Sequence, residues 1–381
     1  MRSQAEQRST LVAALDRCER LCQRDESPAV GVRTDVLRAI LALGAAPRVA
    51  VIARRGAGKS TLLNALAEAP VARVGDVADA TLDAKVHTLR TPSGDLLWLD
   101  TPGLRAGGRD GRRDDVRAAV RAFEPTVALF LCAATEVDAG IDDDLDDLAA
   151  IATALRPDAR LYAVVTRVDE LPPFDLHAPP FDDEKRSHIA QSVTTLHRHM
   201  LARGLAIRSV IPVCAFASWR DGVAHDDARW NLAPLTRALF NASPRDVGAD
   251  LEALLRGLAS ELVERVATDA ETAATKAPGA RGAEIVRARH EALVGCLDAL
   301  LDAFTDRHGA SLTESLGSVA KPGALFGLVR GALEGVGARR ASGSLASARV
   351  RAVGKAVLAL ESLRPSDAAL AALGAGDARS T

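Results

Sequence analysis

The sequence has little of what marks a secreted or membrane-spanning chain. Its five cysteines, Cys18, Cys22, Cys132, Cys214 and Cys296, are odd in number and scattered. That excludes a disulfide framework and suits a reducing compartment. Cys18 and Cys22 lie four apart at helical spacing with no second pair to complete a zinc site, so they are expected to serve helix packing. No uncharged apolar run reaches the roughly 18 residues of a spanning helix. The first residues, Met1 to Glu6, carry no apolar core of the signal-peptide kind. The expected location is the cytoplasm, with a peripheral position at a membrane as the alternative. A net charge of −2 leaves no excess of one sign that would demand nucleic acid or an anionic surface.

What is present is the balance of a globular protein, 48% hydrophobic and 26% charged in 381 residues. Residues 1–45 show helical spacing of apolar positions (Leu11, Leu15, Leu21, then Val36, Leu37, Ile40, Leu41), interrupted near Ser27-Pro28. Across 46–243, short apolar runs alternate with helical stretches. The runs are Val49–Ile52, Leu96–Leu99, Val127–Leu131, Leu161–Val165 and Val210–Val213. Near-continuous apolar strands with helices between them predict an α/β domain whose mostly parallel sheet is covered on both faces. Residues 244–381 lose the strand signal and read as an Ala/Leu-rich all-α domain, so three parts are expected.

The run Val49–Ile52 leads into Ala53-Arg54-Arg55-Gly56-Ala57-Gly58-Lys59-Ser60-Thr61 and then a helical pattern. This is the strand–loop–helix order of a phosphate-binding loop. Gly56 and Gly58 let backbone N–H groups crowd around phosphate oxygens, Lys59 reaches the β and γ phosphates, and the Ser60 hydroxyl ligates Mg²⁺. The helix start adds its positive end. Ala53 stands where the usual pattern has glycine.

At the end of the Leu96–Leu99 run stands Asp100-Thr101-Pro102-Gly103. In a doubly wound sheet a carboxylate at that strand tip lies beside the phosphate loop, where Asp100 can hold the Mg²⁺ hydration shell and the Gly103 N–H can sense the γ-phosphate. With these two motifs in place, residues 47–240 resemble the translation-factor-related GTPases, especially their Era-like branch. The resemblance implies a G domain that binds GTP or GDP with Mg²⁺. It implies a threonine closing over the metal, best matched by Thr81 in Asp79–Asp83, with Thr88 as a weaker match. It also implies a base-reading motif at Thr166-Arg167-Val168-Asp169, where the family has Asn-Lys-x-Asp. A carboxylate at Asp169 can accept from guanine N1 and N2, which adenine cannot offer. Arg167 would lay its stem or plane over the base, as the family's lysine does. Cys214-Ala215 resembles the Ser-Ala pair whose backbone N–H meets guanine O6, with Cys214 in place of serine.

The implied reaction is in-line attack of water on the γ-phosphate, with Lys59, Thr81 and Gly103 as the catalytic set. Leu104 occupies the place where Ras-type GTPases put a water-orienting glutamine, so slow turnover, accelerated by a partner or by self-association, is expected. Gly56 stands where some Era-like relatives recruit potassium through asparagine, so potassium dependence is not expected. Arg54, Arg55 or Arg105 could supply positive charge. The acidic group Asp138, Asp142, Asp143, Asp144, Asp146 and Asp147 reads as favourable charge at a helix start rather than a metal site. His197 and His199, two apart on a helix, point away from each other.

Between 323 and 335 a glycine recurs at every fourth position, giving a smooth helix face. Residues 315–365 carry eight Lys/Arg against two Glu. A helix hairpin within a bundle and an anionic membrane surface contacted through 318–356 are both open readings. Ribosomal RNA is the less favoured partner, since no aromatics are interleaved. The functional expectation is a GTP-hydrolysing switch whose nucleotide state controls partner or membrane association. The alternatives are a self-assembling dynamin-like GTPase and a non-hydrolysing nucleotide-binding module.

Overall fold

The computed structural model describes residues 4–22, 28–43, 46–71, 84–104, 112–138, 141–221, 223–241 and 247–276, with isolated positions between 284 and 300. In chain order the elements are α1 (Gln4–Leu21), α2 (Pro28–Leu43), β1 (Arg48–Ala53), α3 (Lys59–Ala67), β2 (Lys85–Thr91) and β3 (Gly94–Asp100). There follow α4 (Arg112–Phe123), β4 (Val127–Ala133), α5 (Ile141–Ala152), β5 (Arg160–Thr166), α6 (Asp183–Ala202) and β6 (Ile207–Pro212). A small hairpin of β7 (Ser218–Arg220) and β8 (Val223–His225) precedes α7 (Leu232–Phe240) and α8 (Val247–Lys276).

The described residues of 46–244 form one unit. Its sheet has the order β2-β3-β1-β4-β5-β6, parallel except for β2, which runs antiparallel to β3. β1 and β4 are buried along their whole length, as the apolar runs predict, because helices cover both faces. One face packs Val49, Val51, Trp98, Leu129, Leu131 and Val164 against Leu62 and Leu66 of α3 and Leu235 and Leu239 of α7. The alternate residues Ala50, Ile52, Leu97, Leu99, Phe130 and Val165 are equally buried on the opposite face. The predicted α/β class and mostly parallel, doubly covered sheet are therefore observed.

β2, β7 and β8 were not among the five predicted strands. β2 has one fully buried side chain, Leu89, and otherwise half-exposed or exposed positions, so an edge strand carries no apolar run to read.

The described residues of 1–45 and 245–381 form a second unit, so the two chain ends that the sequence separates belong together. α8 presents Leu251, Leu254, Leu255, Leu258, Leu262 and Val266 at three- and four-residue spacing, all buried, and α2 packs against it. Gly257 leaves room there for buried Arg33, whose guanidinium would have to shift from an added Cβ 2.2 Å away. Cys18 on α1 and Cys22 just past its end are buried, with Cys18 Sγ 2.8 Å from Cys296 Sγ. The glycine-spaced stretch 323–335 and the basic segment 318–356 lie outside the described residues.

Candidate functional site

β1 is the point where the strand order turns, with β3 on one side and β4 on the other. In open α/β sheets the crevice at the carboxyl ends of such strands is where ligands bind. Every strand-tip motif of the sequence opens onto that edge.

Ala53 ends β1 and its carbonyl accepts from the Leu104 N–H at 2.9 Å. The following loop turns through Gly56 and Gly58, with φ of +85° and +84°, conformations that side-chain-bearing residues rarely adopt. Gly58 is the N-cap of α3 and supplies no side-chain cap, so the first N–H groups of that helix are left for a ligand. Ala57 is buried beneath the loop, while Arg55 is exposed. Lys59, Ser60 and Thr61, half-buried, form the first turn of α3. Burial pushes the Lys59 ammonium below its ordinary value, against the pull of the Asp100 carboxylate. Lys59, Ser60 and Asp100 line one cavity of about 170 Å³ together with His87, Thr88 and Trp98. That is below the roughly 300–1,000 Å³ of a typical ligand pocket. One carboxylate and one hydroxyl beside room for water are the hard oxygen donors that suit Mg²⁺.

The strand tip after β3 is tied to the loop. The Thr101 hydroxyl donates to the Val51 carbonyl at 2.5 Å. Gly103 approaches so closely that an added Cβ would stand 3.0 Å from the Arg55 nitrogen. Leu104 pairs with Arg54 in an isolated parallel bridge and is 3% exposed. Thr81 lies outside the described residues, as does Arg105. Thr88 sits in β2 on the cavity wall.

At the tip of β5, the Thr166 hydroxyl donates to the carbonyl of Ala57 (2.9 Å), with that of Cys132 also in reach (3.3 Å). It thereby joins the phosphate loop to the tips of β4 and β5, as a short side chain placed where asparagine is usual. Arg167 adopts φ +58° and its guanidinium pairs with Glu170 at 2.6 Å. The Asp169 carboxylate accepts the Cys214 thiol at 3.2 Å. Burial, with Asp169 adding to it, pushes that thiol up to about 12, so it keeps its proton and donates. The Cys214 N–H donates to the Trp230 carbonyl at 3.2 Å. Of the Cys214-Ala215 pair, it is thus the Ala215 N–H that can face a base oxygen.

Two features were not readable as such. Arg54 is an anchor rather than a loose charge: its Nε lies 2.8 Å from Asp144, a buried residue of the first turn of α5. Burial opposes the charge, but the bond to Asp144 outweighs it and holds the guanidinium above its ordinary value. Within the acidic group, Asp142 and Asp146 are also partnered by Arg203 and Asp147 by Arg113. Asp144→Ala is expected to lower stability by about 1–3 kcal/mol, because it leaves a partly buried guanidinium without its carboxylate. Chemical denaturation measures that, and nucleotide release several-fold faster than wild type would show the loosened loop. The second feature is Lys185, fully buried at the start of α6 beneath the Asp169 loop.

Residues 48–166 match the 50S ribosome-binding GTPase family. The GTPase Era of Xanthomonas campestris pv. campestris is 35% identical over 123 residues, 32% of this chain and 40% of that protein. The chain thus spans about two fifths of the length of Era. The uncharacterized protein YfjP of Escherichia coli K12 is 26% identical over 212 residues, 55% of this chain and 67% of that protein. A crystal structure of an Aquifex aeolicus Era variant bound to GDP.AlF4- aligns with a TM-score of 0.36 and 20% identity, over 58% of this chain and 67% of that one. The Era-like resemblance read from the motifs is borne out over residues 48–166.

Proposed function

From the P-loop GTPase domain that residues 48–166 carry, we infer that the chain binds GTP with Mg²⁺, hydrolyses it slowly and uses nucleotide state to control association with a partner. The observation that supports this most is the gathering of Lys59, Ser60, Asp100, Asp169 and Ala215 along the carboxyl edge of one sheet. Phosphate donors stand at the β1 tip and a guanine-matched acceptor stands beyond β5.

Bound Mg²⁺, with Ser60 and Asp100 as the residues to hold it, would neutralise charge on the phosphate oxygens. The chain's own residues do the rest. N–H groups of the 54–60 loop and the Lys59 ammonium hold the β and γ phosphates and stabilise charge as it develops there. The Gly103 N–H reports the γ-phosphate to the segment that follows. Leu104 cannot orient water, because its side chain is buried and its N–H is spent on Ala53. Intrinsic turnover is therefore slow.

Phosphate release under multiple turnover tests the reading. The expected intrinsic rate is far below 1 s⁻¹, on the order of 10⁻³ s⁻¹, and absent without Mg²⁺. No release above background with bound GTP would favour a non-hydrolysing module. Leu104→Gln is expected not to speed hydrolysis, and to lower stability by about 1–3 kcal/mol by burying an amide in an apolar place. A faster enzyme would show that residue 104 does reach the attacking water. Partner control is tested by co-sedimentation of GTP- and GDP-loaded protein with anionic liposomes, where equal binding in both states would remove the switch.

A further inference from the structure

Lys185 occupies a place that disfavours it twice. It is 0% exposed, although lysine is almost never fully buried without partners. It also stands in the first turn of α6, whose positive end repels a cation. Burial pushes its ammonium below the ordinary lysine value, and the carboxylates of Asp169, Asp182 and Asp175 pull it back.

What holds it there is a set of three backbone carbonyls, one for each ammonium proton. Nζ donates to Asp169 at 2.7 Å, to Pro173 at 3.2 Å and to Leu176. Its own backbone N–H donates to the Asp182 carboxylate at 2.8 Å, fixing the helix start. The Phe181 ring lies 5.4 Å from Nζ and meets Trp230 edge-on at 5.3 Å, while Trp230 in turn pairs with the backbone of Cys214. One ammonium therefore gathers the segment from Asp169 to Leu176 and connects it to the residues that carry the Ala215 N–H.

We propose that Lys185 is a positioning residue for guanine recognition, setting the direction of the Asp169 carboxylate through the three carbonyls it holds. The proposal rests on the reading of Asp169 as the guanine acceptor. It assigns the lysine no contact with the nucleotide. The consequence is selective: without the ammonium the phosphate end is untouched, and only discrimination by the base changes.

Equilibrium binding of GTP, ITP and ATP to the full chain reads this directly. ITP lacks the exocyclic amine of guanine, so the GTP-to-ITP affinity ratio reports the Asp169 contact, and ATP reports the phosphate end. Lys185→Met keeps the length and removes the donors. It is expected to weaken GTP about tenfold and bring the GTP-to-ITP ratio close to one, with ATP affinity unchanged. Lys185→Gln keeps two donors and is expected to fall between. If Lys185→Met does not fold, the ratio in Lys185→Gln decides. A wild-type ratio in the folded variants, or an equal loss for all three nucleotides, would overturn the proposal. Asp169→Ala in the same assay separates the two readings. If it too leaves the ratio unchanged, the base assignment has failed. If it collapses the ratio while Lys185→Met does not, only the positioning role has.

Discussion

Asp169→Asn is expected to convert a guanine-selective protein into a xanthine-selective one. The Asp169 carboxylate can accept from both N1–H and the N2 amine of guanine. The Cys214 thiol, protonated and 3.2 Å away, must keep an acceptor opposite it, so in the variant the amide oxygen is drawn to that side. The amide NH₂ then faces the base. Guanine would oppose its own amine to that NH₂, whereas xanthine offers a C2 carbonyl. Exchanging one good bond for an unpaired or repelling pair is worth about 2–4 kcal/mol, roughly 30- to 1,000-fold in affinity. GTP binding should fall by that factor and XTP binding rise to replace it. Loss of GTP binding without any gain for XTP would mean that the carboxylate acts through the loop instead of touching the base.

The other large effect is expected of Lys59→Ala. Two charge-assisted bonds to phosphate oxygens, at about 1.5–3 kcal/mol each, correspond to roughly two to four orders of magnitude in triphosphate affinity. Hydrolysis should become undetectable. The empty protein should be no less stable than wild type. Burial lowers Lys59 below its ordinary value of 10.5. The charged form is thus disfavoured in the folded chain, a penalty fully present below the folded value and gone once pH exceeds the unfolded one. Removing the lysine removes the penalty, so any stability gain in the variant should shrink as pH rises toward that range. A variant that loses nucleotide only because it unfolds would show instead that Lys59 holds the loop together.

How much of this could be read from residues alone varies with how local the signal is. The phosphate loop and Asp100 are contiguous with the ends of apolar runs, so the strand–loop–helix order made them legible, whereas the base motif was legible only through the family resemblance. β2 escaped because an edge strand with one buried leucine has no run to detect. Arg54 and Asp144 are ninety residues apart, and an aspartate in a helix's first turn already has a sufficient reason in the dipole. Lys185 has no local signal, for its burial is created by the sixteen preceding residues, from Asp169 onward, that fold over it. The union of the two chain ends left no mark at all, since each end has a complete helical pattern of its own.

The order of the strands also works as a ruler. From the tip of β3, which bears Asp100, to the tip of β6, which leads to Cys214 and Ala215, the sheet counts four strand spacings. At roughly 4.8 Å each, that is about 19 Å between the two tips. Side chains at the tips can change what is gripped at either end. The separation of the tips themselves is set by the number of strands between, which side-chain substitutions in the loops leave unchanged.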